Sequence, residues 1–276
     1  MTGHVLGVAV RRSMSLGGGA ARVELTDGRT VLVKDGPTVA TEAAGLAWLA
    51  VPGGPPVPEV FGCDGDRLVT SYVRVGRPSA DAAAELGRRL AVLHSPAVGA
   101  PAFGAGPPGT APAAWIGRAP MANVPGPEWA PWYAQHRMAP YLRTARDAGD
   151  LSASEAAVVE RVCARIPELG GPAEPPARLH GDLWSGNVLW AADGAWLIDP
   201  AAHGGHRETD LAMLALFGCP HLETVLETYD DAVPLAPGWR ARVPLHQLFP
   251  LLVHVVLFGR GYADRAVAAA HAALAA

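Results

Sequence analysis

The chain has 276 residues, 50% of them hydrophobic, and a net charge of −4 with acidic and basic residues interspersed. This composition can build a sizeable core, in one large domain or two lobes, and it argues against a nucleic-acid partner or a membrane-binding surface. Three scattered cysteines without a C-x-x-C pair argue against a zinc site or a disulfide framework. No signal-like segment opens the chain and the apolar run 248–258 is too short to span a bilayer, so we expect a cytoplasmic protein.

Alternating β-branched residues predict a sheet at the start of the chain. The runs 21–25 and 30–34 flank a Thr-Asp-Gly-Arg turn, and the runs 57–61 and 67–73 follow. Between these pairs a helix is predicted over 39–49, with Thr38 as its N-cap. We expect five strands and this helix to form a small lobe.

The only lysine of the chain, Lys34, ends the second strand of the first pair, whereas every other Lys or Arg position is arginine. It follows a loop with Gly17, Gly18 and Gly19. Nucleotide-binding lobes have the same order of features, a glycine-rich loop, then a pair of strands, then a lysine on the second strand. The ammonium of that lysine contacts phosphate as a point charge. Taken singly, the lysine also fits a solvated strand end, and the glycines fit a bare flexible turn.

Two further features of this part point to a nucleotide. Glu42 lies in the first turns of the predicted helix and is the first candidate to pair with Lys34 and orient it, although a first-turn acid also complements the helix dipole. Tyr72 and Val73 begin the connector to the rest of the chain, and their backbone would face an adenine edge.

Beyond Pro78 the sequence is mainly helical. The segment 95–131 is rich in Pro, Gly and Ala and contains Trp115 and Trp129, with Trp132 just beyond it; we expect it to pack over the cleft or against the helical part. Helices are predicted over 80–94, 133–148, 153–166, 222–229, 244–258 and 262–275, and one begins at Asp210. The predicted lobes are 1–75, which binds nucleotide, and 76–276, which is catalytic.

The stretch HGDLWSGN, 180–187, is followed by two apolar runs, 188–190 and 195–198, joined by an Asp-Gly turn that predicts a hairpin. Asn187 enters the first strand and Asp199 leaves the second, so strand pairing brings both to the same open end. An amide oxygen and a carboxylate are ligands that Mg²⁺ accepts. The hairpin therefore predicts a magnesium site.

The same stretch matches the spacing of the protein-kinase catalytic loop, H-R-D-L-x-x-x-N. His180, Asp182 and Asn187 fall in register, and Asp199 corresponds to the metal-binding Asp of D-F-G. Singly, these would be turn residues and a strand-end cap, but as an ordered set they predict phosphoryl transfer with Asp182 as catalytic base. We expect His180 to brace the loop behind Asp182 rather than to bind metal.

HGDLWSGN, together with DPA, GHRETDLAM and LFG, resembles the fructosamine kinase (ketosamine-3-kinase) family, within the aminoglycoside phosphotransferase-like small-molecule kinases. Trp184 and the segment 205–208 are the features that distinguish this family from a generic aminoglycoside kinase. The resemblance runs along most of the chain. It implies an α+β, protein-kinase-like fold of two lobes, with a small antiparallel sheet and one helix in the first and mainly helices in the larger second.

The resemblance further implies phosphorylation, dependent on ATP and Mg²⁺, of the sugar 3-hydroxyl of a ketosamine, after which the product falls apart and frees the amine, a deglycation. Gly204 stands where a Tyr is expected, which bears on the sugar pocket, and Ala20-Ala21-Arg22 replaces polar residues of the glycine loop. By position, the implied roles are Asp182 as base, Asn187 and Asp199 on Mg²⁺, Lys34 on phosphate with Glu42, Asp210 as a brace of the catalytic loop, and Trp184, His206, Arg207 and Glu208 near the substrate.

Two alternatives stay open at this point. A kinase for another hydroxylated amine, such as an aminoglycoside, would be expected to have an acidic wall, whereas here His206 and Arg207 stand beside the acids and favour a ketosamine. A non-catalytic nucleotide-binding protein would be expected to lack one of the four central residues, and all are present. We expect a small-molecule partner and favour a monomer; the sequence does not specify the amine, nor fructose against ribulose.

Overall fold

A computed structural model describes residues 4–276; residues 1–3, which were counted in the predicted first lobe, lie outside the described part. The first lobe is an antiparallel sheet of six strands, against five expected. The four predicted runs account for four of them, and the two strands that precede the glycine loop had no predicted run. The strands are β1 His4–Val5, β2 Val8–Gly17, β3 Ala20–Leu25, β4 Thr30–Asp35, β5 Val60–Asp64 and β6 Arg67–Ser71, in the order β1-β2-β3-β4-β6-β5.

The strand β5 begins later than its apolar run predicted. The run starts at Val57, but Pro58 has no N–H to donate to a neighbouring strand, and pairing with β6 begins at Val60. The inward residues of β3 and β4 form the core of the sheet, with Val23 and Val31 completely buried. Burial of such a side chain stabilises the fold by roughly 1.5–3 kcal/mol.

The helix α1, Val39–Leu49, joins the two lobes. Its first turn packs Val39 against the sheet residue Leu68, while Trp48 near its end packs into a core of the second lobe. A Cβ on Gly45 would lie 2.9 Å from Cγ of Pro200, so glycine permits the close approach. Thr38 occupies the predicted N-cap position, but its helical backbone conformation leaves the side chain without a capping hydrogen bond.

The second lobe is mainly helical, as predicted. Ser79 caps its first helix by accepting the Ala82 N–H, and the predicted capping box of Ser152 and Glu155 is formed. The helices are α2 Ala80–Leu93, α3 Trp129–Trp132, α4 Ala139–Asp147, α5 Ala153–Leu169, α6 Glu208–Leu216, α7 Leu222–Ala232, α8 Trp239–Phe258 and α9 Ala263–Ala275, with a π-helical segment, Tyr133–Met138, between α3 and α4.

Three two-stranded antiparallel sheets complete this lobe. Two of them carry the site described below, and the third lies in the Pro, Gly and Ala-rich segment, where the sequence pattern predicted no strand. They are β7 Ala113–Ile116 with β8 Ala119–Ala122, β9 Ala177–Leu179 with β12 His203–Gly205, and β10 Val188–Ala191 with β11 Gly194–Leu197.

A segment without helix or strand, 72–79, connects the lobes, and the proposed boundary between Val75 and Gly76 falls within it. The N–H of Gly76 donates to the carbonyl of Trp190 in β10 at 2.6 Å, which ties the connector to the second lobe. The interlobe connection therefore passes beside the hairpin that follows the HGDLWSGN stretch.

Within the described residues, one helical stretch, Trp239–Ala275, is long and apolar enough to cross a membrane by length and composition alone. More than half of its most apolar window, 56%, is buried. Leu248 and Leu252 of α8 lie in the largest core of the second lobe, which accounts for the hydropathy. The cytoplasmic location stays a prediction.

Candidate active site

The predicted hairpin of β10 and β11 is formed, and it places Asn187 and Asp199 at one open end. Asn187 ends a 3₁₀ turn, and its carbonyl accepts the N–H of Ile198 at 3.1 Å, which fixes the neighbouring Asp199. Asp199 has a φ of 53°, a left-handed conformation that is uncommon outside glycine. The exposed Asp199 carboxylate lies at the mouth of the cleft between the lobes.

The side chain of Asn187 is oriented by Asp182. Its Nδ2 donates to the Asp182 carbonyl at 2.8 Å and to the Asp182 carboxylate at 3.1 Å. No donor among residues 4–276 contacts Oδ1 of Asn187, so this oxygen is free for a ligand. Burial raises the pKa of the Asp182 carboxyl to about 7, although the hydrogen bond from Asn187 opposes the shift. A carboxyl with a pKa near neutrality is suited to accept a proton in catalysis.

Lys34 stands between two carboxylates. Its Nζ lies 2.6 Å from Glu42 of α1 and 2.9 Å from Asp199, so the predicted pair with Glu42 is formed. Burial lowers the pKa of Lys34, but the charges of Asp199 and Glu42 outweigh it and the net shift is upward. Burial and the nearby Asp199 charge raise the pKa of Glu42 to about 7 against the effect of Lys34. The ammonium therefore stays charged at neutral pH.

Asp210, completely buried at the start of α6, holds the backbone of the catalytic loop. Its carboxylate accepts the N–H of His180 at 2.7 Å and that of Gly181 at 2.9 Å, and it lies 3.2 Å from Nε2 of His94. Burial would raise the pKa of Asp210, but the hydrogen bond and charge of His94 lower it overall. The contacts match the bracing position expected for Asp210; His94, at the end of α2, was not singled out from the sequence.

His180 links the loop to the strand end that carries Asp199. Its Nε2 donates to the carbonyl of Ile198 at 2.9 Å, and its Nδ1 accepts the N–H of Asp182 at 3.3 Å. Both ring nitrogens are therefore engaged, which leaves none for a metal ion. Gly181 has a φ of 80°, and a Cβ there would lie 2.2 Å from the carbonyl oxygen of Ala201, so this position requires glycine.

A cavity of about 400 Å³ lies between the sheet and the connector. Gly17 and Gly18 of the glycine loop line it, together with Tyr72 and Val73. Gly19 does not line it, because this residue lies against the backbone of Asp35, where a Cβ would meet the carbonyl oxygen at 2.4 Å. We call this space the nucleotide cavity.

A second cavity, of about 290 Å³, contains Asp182 and Asn187 and is here called the acceptor cavity. It shares Lys34, Glu42 and Asp199 with the nucleotide cavity. Its far wall is aromatic and aliphatic and includes the predicted Trp184. Trp115, Ile116 and Gly117 also line this wall and come from the segment 95–131, for which packing over the cleft was one of the two expected placements. The other residues of the wall, which were not singled out from the sequence, are Met213, Pro250, Val253, His254, Leu257 and Phe258.

The structure does not bring His206, Arg207 and Glu208 to the acceptor cavity, contrary to the expectation that they lie near the substrate. The strand β12 pairs with β9, and His206 and Glu208, which follow it, are buried in the interior. Arg207 forms a bidentate pair with Glu174, with nitrogen–oxygen distances of 2.7 and 2.8 Å. Glu208 forms another with Arg242, at 2.9 and 2.5 Å, and His206 packs against Trp129.

His206, Glu208 and His246 also have potential ligand atoms within 4.8 Å of one another. The guanidinium of Arg242 occupies both oxygens of the Glu208 carboxylate, however, and a cation in that position opposes metal binding. We therefore interpret this buried group as an ion pair flanked by stacked rings, not as a metal site.

Residues 34–276 match the fructosamine kinase family. The chain belongs to this family. A probable ketoamine kinase of Synechocystis is 36% identical over 201 residues, which cover 72% of this chain and 64% of that protein. The crystal structure of a candidate fructosamine-3-kinase from Thermobifida fusca is 47% identical, with a TM-score of 0.92 over 98% of this chain and 96% of that one.

The two-lobed architecture is shared with more distant small-molecule phosphotransferases. The gentamicin complex of the phosphotransferase APH(2″)-IIa has a TM-score of 0.60 over 98% of this chain and 93% of that one, at 12% identity, and shows a common fold alone. The α+β, protein-kinase-like fold of two lobes that the sequence predicted is thus confirmed. Membership of a kinase family makes the chain a phosphotransferase and implies ATP as the phosphoryl donor, which removes the non-catalytic alternative.

Proposed function

We propose that the chain transfers the γ-phosphoryl group of ATP to the 3-hydroxyl of the sugar part of a ketosamine, and that the product then decomposes and releases the amine. One observation supports this most strongly. The nucleotide and acceptor cavities meet at Lys34, Glu42 and Asp199, and the acceptor cavity alone is lined by Asp182. A donor and an acceptor molecule would thus face each other across the charged residues.

Asn187 and Asp199 fit the requirements of a magnesium site. Both offer oxygen atoms, and neither the free Oδ1 of Asn187 nor Oδ2 of Asp199 has a hydrogen-bond donor among residues 4–276. Oxygen ligands and a site that also takes phosphate oxygens are what Mg²⁺ prefers. When bound there, the ion would neutralise charge on the ATP phosphates.

The residues of the chain contribute charge, position and a proton acceptor to the proposed reaction. Lys34, held by Glu42, would neutralise non-bridging phosphate oxygens. The Asp182 carboxylate would accept the proton of the sugar hydroxyl as the hydroxyl oxygen attacks the γ-phosphorus and ADP leaves. The raised pKa of Asp182 matches this task. Trp184 and the apolar wall would exclude water that competes with the sugar for the phosphoryl group.

The charge distribution of the acceptor cavity favours a ketosamine over an aminoglycoside. All its acidic side chains, Glu42, Asp182 and Asp199, lie at the phosphate end, and the far wall is uncharged. A polycationic antibiotic would require acids on that far wall, whereas a sugar with one amine does not. His206 and Arg207 lie outside this cavity and do not contribute to the preference.

A coupled assay of ADP release across fructosamine, ribulosamine and aminoglycoside substrates tests the proposal. We expect turnover on one or both ketosamines, with the phosphate on the 3-hydroxyl by ³¹P and ¹H NMR and free amine appearing as the product decays. Turnover on aminoglycosides alone, or phosphate on another hydroxyl, would contradict the proposal.

A further inference from the structure

We propose that Arg137 is a positioning residue for the acceptor: its buried guanidinium holds the β7–β8 hairpin, and with it Trp115, over the catalytic loop. The inference rests on the proposed function, because it assigns a role at the acceptor cavity. Arg137 does not line that cavity and lies in the π-helical segment between α3 and α4.

The hairpin needs support from outside itself. Its strands have four residues each and form an isolated two-stranded sheet, and such a sheet is marginally stable alone. Its tip, with Trp115, Ile116 and Gly117, lines the acceptor cavity. Any movement of the hairpin therefore changes the wall that faces the substrate.

Ala114, Ile116, Ala119 and Met121 pack the inner face of the hairpin into the main core, and Arg137 adds polar support at its base. Its Nη1 donates to the carbonyl of Ala122 at 2.8 Å, and its Nη2 donates to the side-chain oxygen of Asn123 at 3.1 Å. The backbone N–H of Asn123 donates to the carbonyl of Pro112 at 2.7 Å, which closes the base. The planar guanidinium thus fixes the end of the hairpin through two hydrogen bonds, one at Ala122 and one at Asn123.

The burial of this guanidinium is unusual. Arg137 is 0% exposed, and no carboxylate pairs with it within residues 4–276. A buried charge without a counterion is costly unless fixed neutral acceptors surround it. Here backbone carbonyls and an amide provide them, and the rings of Trp132, at 4.5 Å, and Phe249, at 5.7 Å, add cation–π contacts. Keeping a charged arginine at this position lowers the stability of the fold, which indicates that its hydrogen bonds have a role beyond packing.

The same side chain reaches towards the catalytic loop. Its Nε faces Nε2 of His203 at 3.5 Å, and Nδ1 of His203 donates to the carbonyl of Ala201 at 2.8 Å. That carbonyl is the group against which Gly181 packs, next to Asp182. Arg137 therefore joins the wall of the acceptor cavity to the backbone that supports the catalytic base.

The test compares Arg137→Met and Arg137→Lys with wild type. We expect Arg137→Met to raise the KM for the ketosamine about tenfold, the effect of losing roughly one charged hydrogen bond, with the KM for ATP changed less than twofold. Arg137→Lys keeps the charge without the fork and should recover only part of the loss. Tyr141→Phe, which removes a separate 2.8 Å hydrogen bond to the hairpin carbonyl of Pro120, should act in the same direction more weakly.

Val159→Ala is the matched control, because it truncates a side chain of the same core on helix α5, outside the hairpin and its hydrogen bonds. Hydrogen exchange gives a readout independent of activity: Arg137→Met should speed exchange in 113–122 and leave 30–35 unchanged. An unchanged ketosamine KM, equal effects on ATP and ketosamine, or a pattern that Val159→Ala reproduces would overturn the inference. If the wild-type protein phosphorylates no ketosamine, the proposed function fails, and so does the role of Arg137 in positioning the acceptor. The hydrogen-exchange data would still show whether Arg137 holds the hairpin.

Discussion

Nζ of Lys34 lies 2.9 Å from the carboxylate of Asp199, a residue 165 positions later in the chain. The contact joins strand β4 of the first lobe to the end of the catalytic hairpin in the second. Any phosphate group that binds Lys34 competes with Asp199 for the same ammonium. The affinity for nucleotide therefore depends on this ion pair as well as on the cavity.

Replacement of Lys34 by methionine should raise the KM for ATP and lower kcat, together by roughly 10²-fold or more in kcat/KM, because one preorganised charge at the phosphates is lost. Lys34→Arg should not restore activity, since a guanidinium is bulkier and differently placed. Steady-state kinetics provides the measurement. The control is Arg67→Gln, which breaks an exposed ion pair with Asp35 on the neighbouring strand and should leave both constants within twofold.

Replacement of Asp182 by asparagine should lower kcat by about 10²–10⁴-fold, because the proton acceptor is removed while the shape is kept. Nucleotide binding, measured as the thermal shift produced by an ATP analogue, should be nearly unchanged. Asp193→Asn, in the exposed turn of the same hairpin, is the control. Turnover by Asp182→Asn at a rate near that of wild type would remove Asp182 from the proposed role.

Replacement of Asp210 by asparagine should weaken both the fold and catalysis. Both carboxylate oxygens of Asp210 accept hydrogen bonds, from the N–H groups of His180 and Gly181 and from His94. Asparagine has one oxygen, so its NH₂ group would face a buried N–H group that then lacks an acceptor. We expect the free energy of unfolding to fall by about 1–3 kcal/mol. Displacement of the catalytic loop should lower kcat roughly tenfold or more. Urea unfolding and kinetics measure the two effects, with the exposed Asp147→Asn as control; wild-type values for both would contradict the bracing role.

The buried ion pair of Glu208 and Arg242 should make the stability of the protein depend on pH. Burial would raise the pKa of Glu208, but His246 and Arg242 outweigh it and lower the pKa to about 2 from its ordinary value of 4.5. An acid with a lowered pKa contributes stability fully above its unfolded value, and the contribution is lost as the pH falls towards the folded value. The maximal contribution is roughly 3 kcal/mol.

We therefore expect the difference in unfolding free energy between wild type and Glu208→Gln to shrink as the pH falls from about 5 to about 3, as measured in urea. His206, whose pKa burial lowers to about 3, destabilises the fold in acid in both proteins, and the loss of the Glu208 charge lowers the pKa of His206 further in the variant. If the difference in unfolding free energy between the two proteins stays constant over this range, folding does not lower the pKa of Glu208, and the prediction is wrong.

The local part of the site was predictable from the sequence because it depends on short spacings. The hairpin turn, Asn187 at one strand entrance and Asp199 at the other exit follow from strand pairing alone, and the structure places them accordingly. The pair of Lys34 and Glu42 was also predictable, since in nucleotide-binding lobes a strand lysine pairs with a carboxylate of the following helix, and Glu42 is the first acid of that helix.

The acceptor side was not predictable, because its position depends on long-range packing. The strands β7 and β8 consist largely of Ala and Pro residues, which show no alternating pattern. His254 and Phe258 lie in an apolar helix that has the pattern of a buried core element. His206 and Glu208, which the family resemblance placed near the substrate, do not line the acceptor cavity, because they follow β12, which pairs with β9, and their side chains are buried in the interior.

The helix α1 is held at both ends, by Val39 against the sheet and by Trp48 in the second lobe. A control mechanism that swung this helix outward, as protein kinases do through αC, would have to break two apolar contacts at once. Glu42 is thus fixed beside Lys34 before any nucleotide arrives. We expect an enzyme that is assembled as soon as it folds, whose output follows the supply of its substrates and not an activating modification.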